Sequence, residues 1–288
     1  MSMTDNQHHT WEKAVEWLLA QEEHAELCRS CYYDRPALGA AQRYWSSPEW
    51  LALRTLMPAA KGRALDVGAG MGIASYALAR DGWTTTALEP DDSDLVGSGA
   101  IQRLAQEAGL TIQVTQDWGE RLPFADASFD LVHARQVLHH ARDLRRFCQE
   151  LFRVLKPGGV LLATREHVIT SAAQLPAFLQ KHPLHALYGG ENAFTLAHYQ
   201  SALRGGGLEI RQTLGPLASI VNYAPFTSQT LVDEIARRAR RVPGGSQLVR
   251  ALLAPPWRQP VLSVLSHLDN RPGRLYSFMA VRPHGSGS

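Results

Sequence analysis

Residues 64–72 read Ala-Leu-Asp-Val-Gly-Ala-Gly-Met-Gly, a short apolar run closed by an acidic residue and punctuated by Gly68, Gly70 and Gly72. A helical pattern begins at once, over Ile73 to Arg80. Glycine supplies positive φ and lets a ligand lie against bare backbone. A helix starting there aims its free N–H groups at whatever occupies the turn. The stretch is built to hold a nucleotide-like ligand at the carboxyl end of a strand. Its spacing excludes two common ligand classes. A dinucleotide site reads GxGxxG and a P-loop reads GxxxxGK[ST]. Asp66-x-Gly68-x-Gly70-x-Gly72 is neither, and no Lys-Ser/Thr pair follows.

The next segments repeat the strand–helix alternation. After a turn at Asp81-Gly82, Trp83 to Leu88 reads as a β-branched strand closed by Glu89-Pro90. An acidic residue about 20 positions past the glycines suits a ribose diol, because a carboxylate accepts from both hydroxyls. A third strand, Thr111 to Thr115, leads into Gln116-Asp117-Trp118. Leu122-Pro123-Phe124 through Phe129-Asp130-Leu131-Val132 leads into a fourth strand, and Leu155-Lys156-Pro157-Gly158-Gly159 into a fifth. From roughly residue 60 to 166 the order and spacing resemble the class I S-adenosylmethionine (SAM)-dependent methyltransferases, in particular the small-molecule, ubiquinone-biosynthesis-like "methyltransferase type 11" group. Residues 87–101 and 182–194 resemble segments of a bacterial branch of that superfamily. The resemblance implies SAM as cofactor and S-adenosylhomocysteine as product. It implies cofactor contacts from Asp66, Gly68, Gly70, Gly72, Glu89 and Pro90. It extends them to Asp117 at the adenine amino group, Trp118 in the base pocket, Ala134 and Arg135.

Composition narrows the surroundings. A net charge of +2 over 288 residues marks no bulk field for nucleic acid. No apolar run reaches about 18 residues, so no membrane span is expected. The chain reads as cytoplasmic, with no signal segment at its start. Its three cysteines suggest no disulfide framework. Cys28 and Cys31 have Cys-x-x-Cys spacing without a second pair, and His182-x-x-His185 lacks a completing Cys or Asp cluster, so no metal is expected.

The fold class expected is α/β, a Rossmann-like three-layer sandwich with a seven-stranded, mostly parallel sheet and helical lid insertions. Residues 1–60 read as an N-terminal helical cap, with an amphipathic helix over 10–28 and a second over about 48–56. Residues 61–214 and 273–284 read as the SAM-binding core, with a lid insertion at 167–194. Residues 215–272 read as a further helical lid insertion, with helices near 228–241, 246–253 and 258–269. The oligomeric state is not readable.

Methyl transfer needs no metal and no covalent nucleophile, because SAM already carries an electrophilic methyl. The acceptor must be aligned for in-line displacement and water excluded. No Asp/Asn-Pro-Pro-aromatic motif follows the fourth strand, which speaks against base N-methylation. Val137-Leu138-His139-His140-Ala141-Arg142-Asp143 instead resembles the LHH stretch of small-molecule enzymes. For His139 two readings stand open, a general base or a cap on the next helix. Arg135 either binds a carboxylate bidentately or forms a salt bridge. Glu166 and His167 end the fifth strand, where polar residues face ligands, and are ranked first as base or acceptor contact. Tyr32, Tyr33, Tyr188, Glu191 and Asn192 are candidates for substrate contact or lid closure. The Arg237–Arg241 cluster is the sole support for an RNA substrate, and the solvated face of an amphipathic helix explains it more simply. The leading function is methyl transfer to a small-molecule acceptor. The alternatives are non-methyl SAM chemistry, either cyclisation or aminocarboxypropyl transfer, an RNA methyltransferase, and a non-catalytic binding module.

Overall fold

The computed structural model describes residues 10–182 and 185–284. Eight strands form its sheet: β1 (Arg63–Val67), β2 (Thr84–Leu88), β3 (Ile112–Thr115), β4 (Phe129–Arg135), β5 (Leu155–Ile169), β6 (Phe194–Thr195), β7 (Glu209–Leu214) and β8 (Arg274–Val281). Their order is β3-β2-β1-β4-β5-β8-β7, a seven-stranded path on which β1 to β5 run parallel and β8 is antiparallel to β5 and β7. The two-residue β6 adds to the end of β5. β4, with neighbours on both sides and layers on both faces, is buried over most of its length, as a central parallel strand requires, although it carries the buried His133 among its apolar residues.

The flanking helices arise from their apolar spacing. Leu144–Val154 is capped by Asp143, which accepts from the Arg146 N–H, and buries Leu144, Phe147, Cys148, Leu151 and Val154 along one stripe. Ile73–Arg80 buries six of its first residues, from Ile73 to Leu78, under the sheet. The helix expected over 10–28 is broken into Trp11–Leu19, a 3-10 turn at Glu22–His24, and Ala25–Ser30. Gln21 to His24 offer no apolar side chain to continue the stripe. A helix not foreseen, Ala37–Trp45, buries Ala40, Ala41 and Tyr44.

β5 carries the feature that matters most for the site. Against β8, Ala163 pairs with Phe278 and Glu166 with Tyr276, so β5 holds one extra residue. Within this bulge Arg165 sits at φ +60°, a conformation that side chains rarely adopt. The extra residue re-aims the rest of the strand and turns Glu166 fully inward.

Residues 215–272 hold helices Ile220–Tyr223, Ser228–Ala239, Gly245–Leu252 and Arg258–Leu268, with a small core of Leu231, Val232, Leu253 and Leu262. Asn222 ties them to the sheet: its Nδ2 donates to Leu214 O and Gly215 O, and its Oδ1 accepts from Ser277 Oγ. No helix among the described residues is long and apolar enough to cross a membrane.

Candidate functional site

A cleft of about 1050 Å³ opens over the carboxyl ends of β1 to β5. One end is the glycine turn. Gly70 lies at φ +54°, and a Cβ added there would meet nothing closer than Val96 O at 4.0 Å, so it would project into open space. Gly68, at φ +61°, has the opposite constraint: a Cβ would lie 2.6 Å from Val137 Cγ2. Asp66 reaches the cleft with both oxygens already engaged, Oδ2 accepting from Ser75 Oγ at 2.6 Å and Oδ1 from His133 Nδ1 at 2.9 Å.

Glu89 closes β2 as the spacing required. Its Oε2 accepts from the Gly70 N–H at 2.7 Å and its Oε1 from the Asp91 N–H at 3.0 Å. It thereby holds the glycine turn open while facing the cleft. Burial pushes its pKa up to about 7, against the two backbone N–H groups that favour the anion. Pro90, Asp117 and the largely exposed Trp118 line the same end.

Four expected residues lie off the walls, Glu166 (below) and three others. Gly72 is not on the cleft: its α-carbon faces Ile101, and it begins the following helix at φ +86°. Ala134 is buried within β4, away from the cleft, and Asn192 turns its Oδ1 onto the Ala193 N–H. Gly72 and Ala134 are implied by the resemblance and Asn192 by its loop, whereas the local backbone direction decides what each one faces.

Arg135 resolves toward the salt bridge. Its Nε donates to Glu49 Oε1 at 2.7 Å and its Nη2 to Oε2 at 3.2 Å, and Glu49 is fully buried. Burial would raise the Glu49 pKa, but Arg135 and Arg165 outweigh it and hold the carboxyl below its usual range. Arg165 Nη1 lies 3.7 Å from Glu49 and donates to Val221 O and Ala224 O. Glu49, on the helix Pro48–Arg54, was not singled out from sequence. The signal was two arginines at the ends of adjacent strands, which need a buried anion.

Glu166, ranked first as a base, is the clearest correction. Its Oε1 accepts from the N–H groups of Val137 and Leu138, and its Oε2 from the His139 N–H and from His139 Nδ1 at 2.8 Å. It is fully buried and absent from the cleft walls. Four donors occupy its oxygens, so it positions the 3-10 turn Leu138–His140 rather than meeting a substrate.

The opposite end of the cleft is imidazole-rich. His139 is sandwiched between two carboxylates, with Nδ1 on Glu166 and Nε2 3.4 Å from Glu191 Oε2. Burial alone would lower its pKa; the Glu166 and Glu191 partners outweigh this and raise it to about 9. His167 Nδ1 faces Gly273 O at 3.2 Å, and burial drives its pKa down to about 3. Tyr188 Oη donates to Glu191 Oε1 at 3.3 Å. Trp11, Tyr32, Tyr33, His182 and Tyr188 complete this end, so the roof comes from the N-terminal segment, from His182 and from residues 188–191. Residues 215–272, expected as a lid, supply none of the cleft's lining. Within them Arg237 and Arg238 pair with Glu234 of their own helix, consistent with a solvated arginine face.

A mostly parallel open sheet with a glycine turn after β1 and an acidic residue after β2 is an arrangement suited to a nucleoside ligand. Residues 65–163 match the family model described as a methyltransferase domain, which together with the relatives below supports a place in the class I SAM-dependent methyltransferase superfamily. A ubiquinone biosynthesis O-methyltransferase of Rhizobium leguminosarum is 27% identical over 171 residues, 58% of this chain and 65% of that protein. A dimethylglycine N-methyltransferase of Parasynechococcus marenigrum is 38% identical over 105 residues, 36% of this chain and 37% of that protein. The chain thus spans less than two thirds of the length of both relatives. Among solved structures, the [4+2]-cyclase SpnF has a TM-score of 0.55 at 22% identity, covering 85% of this chain and 82% of its own. Geranyl diphosphate C-methyltransferase from Streptomyces coelicolor has 0.56 at 15% identity, covering 93% and 87%. At these identities the likeness is one of fold.

SAM, the superfamily's cofactor, fits the glycine end. The open face of Gly70 leaves room that a Cβ would fill, and Glu89 retains acceptor capacity for a diol. Gly70→Val puts a branched side chain into that space at a positive φ. SAM affinity should fall at least about tenfold, or 1.4 kcal/mol, by calorimetric titration of the folded variant.

The raised pKa of Glu89 gives a second expectation. Without ligand, the neutral carboxyl is favoured, so its contribution to stability is full below about 4.3, its ordinary value, and is lost as pH rises through about 7. A ribose diol donates best to the anion. SAM affinity should therefore rise between pH 6 and 8, by up to about tenfold. Titrations at the two pH values test this, and Glu89→Gln should flatten the difference.

Proposed function

We propose that the protein transfers the methyl group of SAM to a small-molecule acceptor by direct in-line displacement. The observation that carries this reading is the extent of the cleft. It continues from the glycine turn and Glu89 to a second compartment walled by His139, His167, Tyr188 and Glu191. SAM bound at the glycine end supplies an electrophilic methyl on a sulfonium. Glu89 would accept from its ribose hydroxyls and Asp117 from its adenine amino group, and Trp118 would cover the base. Asp66, Gly68 and Pro90 form the rest of that floor.

The imidazole end serves the acceptor. His167, with its Nδ1–H donating to the Gly273 carbonyl, keeps Nε2 as a hydrogen-bond acceptor that orients an O–H or N–H group. His139 is held in place by Glu166. Trp11, Tyr32, Tyr33 and Tyr188 exclude water, which supports reading residues 1–60 as a cap and 167–194 as a lid that acts through His182 and residues 188–191. Three free cysteines suit a cytoplasmic setting.

Mass analysis of SAM incubated with the protein and a small-metabolite extract tests the reaction. S-Adenosylhomocysteine and a product heavier by one methylene are expected. Methylthioadenosine, or consumption only with RNA, would overturn the reading.

A further inference from the structure

We propose that His139, His167 and Glu191, joined by His182, form a divalent transition-metal site in the wall of the cleft, with an exchangeable position for an oxygen donor. The ligand atoms of His139, His167 and Glu191 all lie within 4.8 Å of one another. His139 Nε2 is 3.4 Å and His182 Nε2 is 3.7 Å from the same oxygen, Glu191 Oε2. An ion bonded at about 2.0–2.2 Å holds its ligands roughly 3–4 Å apart, so rotations of these side chains by about an ångström suffice.

The surroundings are those of a built site. A metal-binding imidazole donates its other N–H to a carboxylate or a backbone carbonyl, which fixes the tautomer and leaves one nitrogen for the ion. Both imidazoles of the triad have that partner. His139 Nδ1 donates to Glu166 Oε2 at 2.8 Å, and His167 Nδ1 to Gly273 O at 3.2 Å. Glu166 is itself fixed by three backbone N–H groups, so the orientation of His139 is over-determined. Glu191 Oε2, buried at the centre of the cluster, makes no hydrogen bond of normal geometry among the described residues, its neighbours being His139 Nε2 at 3.4 Å and His182 Nε2 at 3.7 Å. A buried carboxylate oxygen without a donor is costly. A cation shared with the imidazoles removes that cost, and its charge balances Glu166 and Glu191.

Two or three imidazoles with one carboxylate suit Zn²⁺, Co²⁺, Fe²⁺ or Mn²⁺ rather than Ca²⁺, which takes oxygen ligands throughout. A set of this size leaves a position open to water or to an acceptor's oxygen. The donors come from the segment after β4, from β5 and from residues 182–191, which is why spacing along the chain gave no sign of them. With the ion bound, His167 Nε2 ligates it and the acceptor's oxygen takes the open position in place of the hydrogen bond to Nε2; that use rests on the proposed transfer reaction, and the metal site does not.

The test uses the full chain without an affinity tag, stripped by chelator and titrated with Co²⁺. Bound metal is measured by mass spectrometry after desalting, and the ligand field by visible absorption. One equivalent per chain is expected, with no thiolate charge-transfer band. Glu191→Gln and the His139→Ala/His167→Ala pair should weaken binding at least about 100-fold while the circular dichroism spectrum is kept. Cys28→Ser/Cys31→Ser should bind as the parent does. Substoichiometric binding by the parent, undiminished binding by the ligand variants, or a thiolate band would overturn the site. Stoichiometric metal with no methyl transfer would leave the site standing and remove the proposed function.

Discussion

Glu49→Ala should destabilise the fold by about 3–5 kcal/mol, the range for removing one partner of a buried ion pair. Glu49 is fully buried and receives two hydrogen bonds from Arg135, with Arg165 a further 3.7 Å away. The variant leaves a guanidinium in the interior with no counter-charge. Arg135 would retain Gln136 Oε1, at 3.1 Å, as a neutral partner. Since the Glu49 pKa is depressed, its stabilisation is present at neutral pH and is lost as pH falls below the usual carboxylate range. The variant should therefore show a shallower acid limb. Denaturant unfolding at pH 7 and pH 4 measures both effects. A double variant, Glu49→Leu with Arg135→Met, should recover only part of the loss, because it removes the Arg135 charge but leaves Arg165 buried without its anion. A Glu49→Ala protein as stable as the parent would show that the pair is not formed.

Glu166→Ala should cost at least about 3 kcal/mol, since three buried backbone N–H groups lose their acceptor at about 1–3 kcal/mol each. The same change frees His139 from its Nδ1 partner. Glu166→Gln retains a carbonyl oxygen for two of the N–H groups but sets an amide N–H₂ against the histidine, so an intermediate loss is expected. Thermal and denaturant unfolding report both. A residue acting only as a base would give the opposite pattern, with full stability and lost turnover.

These two carboxylates also mark the limit of what the chain discloses by itself. The strands and the glycine turn were legible because they depend on neighbours in sequence: Gly70 needs a positive φ, and Glu89 must stand one strand away from it. Glu166 was placed at a strand end of the kind that faces ligands in this type of sheet, yet the bulge at Arg165 turns it inward. That extra residue is defined by pairing with β8, more than 100 positions on. Glu49 lay hidden for a similar reason. Its carboxylate matters because Arg135 and Arg165 converge on it across the sheet edge, and nothing near Pro48 announces that. Residues 182–191 stand out in the sequence by their His, Tyr and Gly content. The partners that surround them in the fold, His139 and His167, come from two other segments.

SAM should lie from the glycine turn toward the imidazole end, and a crystal structure with S-adenosylhomocysteine tests this most directly. Both ribose hydroxyls should lie within hydrogen-bond distance of Glu89, with the adenine edge at Asp117 and the sulfur directed toward His139 and His167. A ribose away from Glu89, or a cofactor that fills the imidazole end itself and leaves no space for an acceptor, would contradict it.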